Sequence, residues 1–303
     1  MANTRSDSGA EPVSGLVVVD KPAGLTSHDV VGRMRRIAHT RRVGHAGTLD
    51  PMATGVLLVG VERVTKLLGY LAAGDKSYDA TVRLGQSTVT DDAEGEMLAE
   101  KSAAELDEPA VRDAFRRYTG DFDQVPSSVS AVKINGERSY KRVRAGEQVE
   151  LAPRHVSVPE LIVHAIRRPA PDLVDVDIAL TCSSGTYVRA IARDVGVDLG
   201  VGGHLTALRR TRVGAFSLTD AATLDELAEL ADPVRIGMDS LVERLFGRRD
   251  VSAEQARIAS NGGRLAPEER VGPYGVFDPD GRAIALVEET AGAARPLVVL
   301  RPA

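Results

Sequence analysis

Three kinds of hydrophobic pattern alternate along the chain, and each predicts a different element. Unbroken apolar runs at residues 16–19 and 56–61 predict short buried strands, the first closed by the Lys21-Pro22-Ala23-Gly24 turn. Strict alternation sets Tyr78, Ala80, Val82 and Leu84 against Asp79, Thr81 and Arg83. It returns in Val174, Val176, Ile178 and Leu180 against Asp175 and Asp177. A period of two predicts strands with one polar face. Helical spacing joins Val30, Val31, Met34, Ile37 and Ala38, with Ser27 as the expected N-cap. The same spacing joins Val64, Leu67, Leu68 and Leu71 ahead of a stop at Gly74, and then Val188, Ile191, Ala192 and Val195. Asn135-Gly136 is a tight-turn signal, and no internal repeat is visible. Strands with a polar face among amphipathic helices predict an α+β fold, a mixed and largely antiparallel sheet with flanking helices.

A boundary is expected near residues 233–250, where a helix-like segment at 223–231 gives way to Pro233 and a charged stretch at 244–250. Beyond it, a short helix at 252–259 ends at Asn261-Gly262-Gly263, and strands at 274–277 and 283–287 flank Asp278-Pro279-Asp280-Gly281. The expected organisation is a disordered tail over 1–14, a main domain over 15–240 with an insertion at about 120–155, and a small β-rich module over 245–303.

At 303 residues with 43% hydrophobic positions, the chain is long enough for such a pair of cores. One cysteine excludes a disulfide framework and any cysteine-rich metal site. The apolar runs are too short to span a bilayer. Residues 1–14 lack the apolar centre of a signal peptide, so the expected location is the cytoplasm.

A net charge of −5 argues at first against a nucleic-acid partner, but the charge is unevenly spread. Arg33, Arg35, Arg36, Arg41 and Arg42 form one basic run; Lys133, Arg138, Lys141, Arg142 and Arg144 form a second; Arg209, Arg210 and Arg212 form a third. The acid is concentrated at residues 91–108, which read as a solvated linker. Each basic run alone reads as a solvated face; together they point to a basic surface.

Conventional catalytic motifs are mostly missing. There is no phosphate loop, no dinucleotide fingerprint, no nucleophile elbow and no His-x-x-x-His pair, so no metal site is expected. Ser27-His28-Asp29 are neighbours in sequence, which is not how a triad is built. The dense segment runs from Arg42 through Gly44-His45-Ala46-Gly47-Thr48-Leu49-Asp50-Pro51 to Gly55. Its glycines allow close approach by a ligand, and Pro51 keeps Asp50 out of a helix. A carboxylate on such a loop suits a nucleophile or base. On composition alone, the plainer reading is an Asp-Pro turn with a solvated carboxylate.

Residues 44–57, from Gly44-His45-Ala46-Gly47 to Gly55-Val56-Leu57, closely resemble the signature loop of the bacterial tRNA pseudouridine-55 synthases. Further motifs follow in that family's order: Asp20-Lys21-Pro22-Ala23-Gly24-Leu25-Thr26-Ser27, Asp75-Lys76-Ser77-Tyr78 with Arg83-Leu84-Gly85, and Pro126-Ser127-Ser128-Val129-Ser130-Ala131-Val132-Lys133. Ser184-Gly185-Thr186-Tyr187-Val188-Arg189 and His204-Leu205-Thr206-Ala207-Leu208-Arg209-Arg210 complete the series. The resemblance covers about residues 15–230, and the last sixty or so residues are more weakly similar to the family's PUA-like RNA-binding domain.

The resemblance implies a pseudouridine-synthase-like fold and isomerisation of a uridine in the T-arm loop of tRNA. It implies Asp50 as nucleophile, Tyr78 as the ring that stacks on the flipped base, and Arg189 as the partner of Asp50, expected to lower its pKa. His45, Tyr187, Leu208 and Lys21 are implied substrate contacts, with Arg41, Arg42, Lys133, Arg142, Arg209 and Arg210 on the RNA backbone. The plain alternatives are core packing for Tyr78, Tyr187 and Leu208, and a loop cap for His45. The reaction consumes neither electrons nor water, so no cofactor is expected, and a monomer with tRNA as its partner suffices. One alternative is a non-catalytic RNA-binding or RNA-folding protein on the same scaffold. A glycoside hydrolase would need a second carboxylate, and none in the sequence has a setting comparable to that of Asp50.

Overall fold

The computed structural model describes residues 13–127 and 151–303, with the backbone alone at 133–134 and 137–138. A nine-stranded sheet forms its centre. Across the sheet the strands run Glu160–Ala170, Leu173–Cys182, Lys76–Leu84, Gly203–Val213, Thr54–Val61, Gly15–Lys21 and Ile236–Gly237. Val43–Ala46 pairs with Thr54–Val61, and Phe216–Ser217 pairs with Gly203–Val213. The sheet is antiparallel except where Arg209 and Arg210 run beside Thr54 and Gly55. Gly55 is required there: its φ is +99°, and a Cβ would stand 2.1 Å from the Arg210 carbonyl.

The two halves of the sheet explain the two strand patterns. Gly15–Lys21 and Thr54–Val61 are covered on both faces. On one face, Val17, Val19, Leu57 and Val59 meet the Ser27–Ile37 helix through Val30, Val31 and Met34. On the other, Leu16, Val18, Val56 and Leu58 meet Val64, Leu67 and Leu71. A strand buried on both faces reads as an unbroken apolar run. Lys76–Leu84 and Leu173–Cys182 are covered on one face only, where Val82, Leu84, Val176 and Ile178 pack under Ile191, Ala192 and Val195 of the Val188–Asp198 helix. Their other face carries charge: Arg83 holds Asp175 at 2.8 Å and Arg167 holds Asp177 at 2.6 Å.

Two local expectations change. Thr26, not Ser27, caps the first helix, in a capping box with Asp29. The segment before Gly74 is a 3₁₀ turn, Glu62–Leu67, followed by a short helix, Leu68–Ala73. The region around the expected boundary holds a core helix, Met238–Phe246. Its Met238, Leu241 and Val242 share one cluster with Leu16 and Val18 of the main sheet and with Phe277, Leu286 and Leu300 of the C-terminal sheet. That sheet runs Arg248–Asp250, Tyr274–Phe277, Ala283–Thr290, Ala293–Val299. Arg63 and Lys66 also donate to the carbonyls of Leu300 and Val299, at 2.9 and 2.7 Å. Among the described residues, no helix is long and apolar enough to cross a membrane.

Candidate active site

The loop between the Val43–Ala46 and Thr54–Val61 strands is irregular, and three side chains hold its backbone. Lys21 is fully buried and donates to the carbonyls of Pro22, Leu25 and Pro51 at 2.9, 2.7 and 3.2 Å. Ser27 accepts from the Leu49 N–H at 2.9 Å and donates to the Leu49 carbonyl at 3.1 Å. Arg210 donates to the carbonyls of Val56, Gly47 and Thr48 at 2.7, 2.9 and 3.3 Å. Burial lowers the Lys21 ammonium from its ordinary 10.5 to about 8.

Asp50 lines a pocket of about 270 Å³ in front of this loop. The volume is near the lower limit of ligand pockets and suits one small ring. Arg189 projects from the first turn of the Val188–Asp198 helix and meets Asp50 with two nitrogens, Nε at 3.0 Å and Nη2 at 3.3 Å. The Arg189 side chain is only 6% exposed, whereas that of Asp50 is 35% exposed. The same guanidinium donates to the Thr90 carbonyl at 2.7 Å and lies 3.5 Å from the Asp92 carboxylate, which is 3% exposed. Burial raises the Asp50 carboxyl above its ordinary value; Arg189 opposes the shift and Asp92 adds to it. Arg189 thus lowers this pKa as expected, but desolvation is the larger effect and the net shift is upward.

Tyr78 and Leu208 line the same pocket, as do Tyr187, Lys76 and Arg210. Tyr78 is almost fully buried, and burial raises its phenol pKa, so the ring stays neutral. Lys76 donates to the carbonyls of Ala72 and Gly74, both at 2.9 Å.

Other expected contacts lie elsewhere. Lys21 stands behind the loop as an anchor and does not line the pocket. Arg210 is 1% exposed, so it does not present its guanidinium to an RNA backbone. Its neighbour Arg209 is tied to Asp20 at 2.7 Å. Arg212 donates to Ser77 and to the Gly214 carbonyl, so the third basic run is not an open cationic surface. His45 sits on the Val43–Ala46 strand, 6.5 Å from the His28 ring, outside the pocket lining. Arg41 and Arg42 are exposed, and Arg42 lies 3.6 Å from Glu62. Arg142 and the Asn135-Gly136 turn lie outside the described residues; for Lys133 only the backbone is described, pairing with Arg138.

The acidic segment at 91–108 requires the largest correction. Its first residues, Asp91 and Asp92, are buried, because Leu205 takes the Asp91 carbonyl at 3.0 Å and carries the turn against the sheet. Asp92 is thus a second carboxylate at the site, missed by the sequence reading. It shares Arg189 with Asp50 and does not line the pocket, so it does not oppose Asp50 as a hydrolase pair requires.

Among the described residues, Asp50 is the one carboxylate lining this pocket, without the opposed second carboxylate that glycoside hydrolysis requires. Comparisons with known proteins agree. Residues 35–188 match the TruB family pseudouridylate synthase N-terminal domain. Residues 189–243 match the tRNA pseudouridylate synthase B C-terminal domain, and residues 246–301 match the tRNA pseudouridine synthase II C-terminal region. A curated relative from Thermobifida fusca, named tRNA pseudouridine synthase B, is 58% identical over 94% of this chain and 98% of its own. Another of that name, from Mycolicibacterium paratuberculosis, is 57% identical over 95% and 98%. The solved Cbf5-Nop10-Gar1 complex contains a chain that superposes with a TM-score of 0.70 at 25% identity, covering 95% of this chain and 85% of that one. Fold and site therefore define the class, an RNA pseudouridine synthase, which is an isomerase. Within that class, the chain belongs to the TruB family of pseudouridylate synthases.

Proposed function

We propose that this protein isomerises the uridine at position 55, in the T-arm loop of tRNA, with Asp50 as the nucleophile. The observation that carries this reading is the ion pair at the pocket, in which buried Arg189 orients the partly exposed Asp50 carboxylate. The shared name of the near-full-length relatives supports tRNA as the substrate.

The reaction exchanges the C1′–N1 bond of uridine for a C1′–C5 bond. The C5 proton is lost and one is gained at N1, so no oxidant, reductant or water is consumed. The base must leave its stack, at a cost of a few kcal/mol. Tyr78 and Leu208 offer the flipped base a ring face and an apolar wall. Tyr187 closes the pocket beside them, and His45 fills the vacated stack. Burial makes the Asp50 carboxylate more basic and so a better nucleophile, while Arg189 keeps it ionised and aimed. Arg41, Arg42, Lys133 and Arg142 hold RNA phosphates. In this reading the protein works in the cytoplasm as a monomer, without a cofactor.

The test is a T-arm stem-loop incubated with the wild type and with Asp50→Asn, followed by an assay for pseudouridine. The substitution is expected to abolish product; equal product from both proteins would remove Asp50 from the mechanism. Arg189→Ala is expected to abolish turnover while RNA binding survives.

A further inference from the structure

The pocket wall formed by Ser184, Gly185, Thr186 and Tyr187 is held by bonds that the reaction itself does not use. Gln124 ends the Gly120–Gln124 strand and is 2% exposed. Its Oε1 accepts the Tyr187 N–H at 2.8 Å, and its Nε2 donates to the Tyr187 carbonyl at 3.1 Å. The pairing is reciprocal, like that of two backbone amides in a sheet, across 63 positions of sequence. At the other end of the wall, the Ser183 N–H donates to the Ser157 carbonyl at 2.8 Å, and Ser183 Oγ accepts from the Ser157 N–H at 3.0 Å. Ser157 belongs to Arg154–Val158, the antiparallel partner of Gly120–Gln124. One two-stranded ribbon therefore holds both ends of the wall.

The local sequence leaves Tyr187 in need of such a hold. It is the N-cap of the Val188–Asp198 helix, in extended backbone, and its own side chain makes no capping hydrogen bond. The Gln124 carboxamide, with one donor and one acceptor used on the same residue, fixes both the height and the tilt of the Tyr187 peptide. Tyr187 lines the pocket, and Arg189 follows two residues later.

We propose that Gln124 is a positioning residue: its carboxamide sets Tyr187 in the reaction pocket, and turnover depends on that setting. The proposal rests on the reading of Tyr187 as a substrate contact. A misplacement of about 1 Å at a reacting centre costs on the order of 100-fold in rate. A Gln124 that served stability alone would shift the unfolding midpoint and leave the rate per folded molecule unchanged.

The experiment is a cycle of Gln124→Met, Tyr187→Ala and the double variant. It is read as single-turnover rate at saturating T-arm RNA, RNA dissociation constant and thermal midpoint. Gln124→Met keeps the length of the side chain and removes both bonds. The rate is expected to fall about tenfold or more, with the dissociation constant within about twofold of wild type. In the Tyr187→Ala background, Gln124→Met is expected to cost less than about twofold, because the group it positions is gone. A wild-type rate in folded Gln124→Met overturns the proposal; so does the full loss repeated without the Tyr187 ring, or a wild-type rate in Tyr187→Ala. Where Gln124→Met does not fold, Gln124→Asn is read in the same way, since its carboxamide is one carbon shorter and cannot make both bonds to Tyr187. Asp50→Asn is assayed alongside. Activity retained there removes Asp50 from the underlying mechanism, whereas an inactive Asp50→Asn beside a fully active Gln124→Met overturns the positioning role alone.

Discussion

Arg189 and Arg210 are buried guanidiniums that reach the same loop from different elements, and their partners differ in kind. Arg210 donates to the carbonyls of Gly47, Thr48 and Val56, and no carboxylate stands among its hydrogen bonds. Lys21 and Lys76 behave alike, held by the carbonyls of Pro22, Leu25 and Pro51 and of Ala72 and Gly74. Arg189 meets two carboxylates, Asp50 and Asp92. A cation gathering carbonyls fixes the path of a backbone. A cation gathering carboxylates fixes a side chain and its charge. Both are needed when a reactive group sits on a loop, since neither helix nor strand geometry holds that loop in place.

The contrast is tested most severely by Arg189→Lys, which keeps the charge and loses the two-nitrogen grip on Asp50. Turnover is expected to fall by about 10²–10³-fold with the fold retained, checked by single-turnover assay and circular dichroism. An active Arg189→Lys would show that charge alone suffices. Arg210→Lys is expected to fail differently: one ammonium cannot span three carbonyls, and urea unfolding should show a stability loss of about 3 kcal/mol.

Asp92→Asn gives a smaller and more diagnostic change. As the proposed nucleophile, Asp50 would have to be ionised, and its carboxyl lies above the ordinary 3.8, so the acid limb of the rate profile is expected above that pH. Asp92 contributes to the rise, so Asp92→Asn is expected to move the limb to lower pH; an unmoved limb would separate Asp92 from Asp50.

The smallest effect belongs to Lys21. Its folded pKa of about 8 lies below the ordinary 10.5, so between those values the unfolded chain binds the proton that the folded one has released. Stability from this group therefore rises with pH across that window. Lys21→Met is expected to remove the slope, on the order of 1 kcal/mol, in urea titrations at pH 8 and pH 10.

Local periodicity made most strands and helices readable, because each reports how many of its faces are covered. Residues 16–19 and 56–61 read as runs since both faces are buried; residues 78–84 alternate since one is. The loop with Asp50 stood out by its glycines and its resemblance to a family, yet the pairing with Arg189 spans 139 positions and has no local trace. Asp92 was hidden for the opposite reason: its acidic neighbours, Glu94, Glu96 and Glu100, give a solvated pattern, and only the bridge to Leu205 buries it. Arg210 did carry a signal. It stands two residues after Leu208 on the same strand, beside Tyr78 in register, so alternation places it on the buried face. The run of arginines around it suggested a surface instead.

Synthesis of the chain gives the long reach of these contacts another consequence. Arg210 meets Gly47 across 163 positions, and a parallel pairing in the main sheet joins Arg209 and Arg210 to Thr54 and Gly55. At about 5–20 residues per second, a ribosome takes roughly 8–33 seconds to make that interval. Over that interval the Asp50 loop has Lys21 and Ser27 but lacks Arg210 and the neighbouring strand that closes the sheet around it, and Arg189 is made only 139 positions after Asp50. A nascent chain therefore has no assembled pocket to offer to RNA until residues 203–213 have emerged, and reactivity arrives late and all at once.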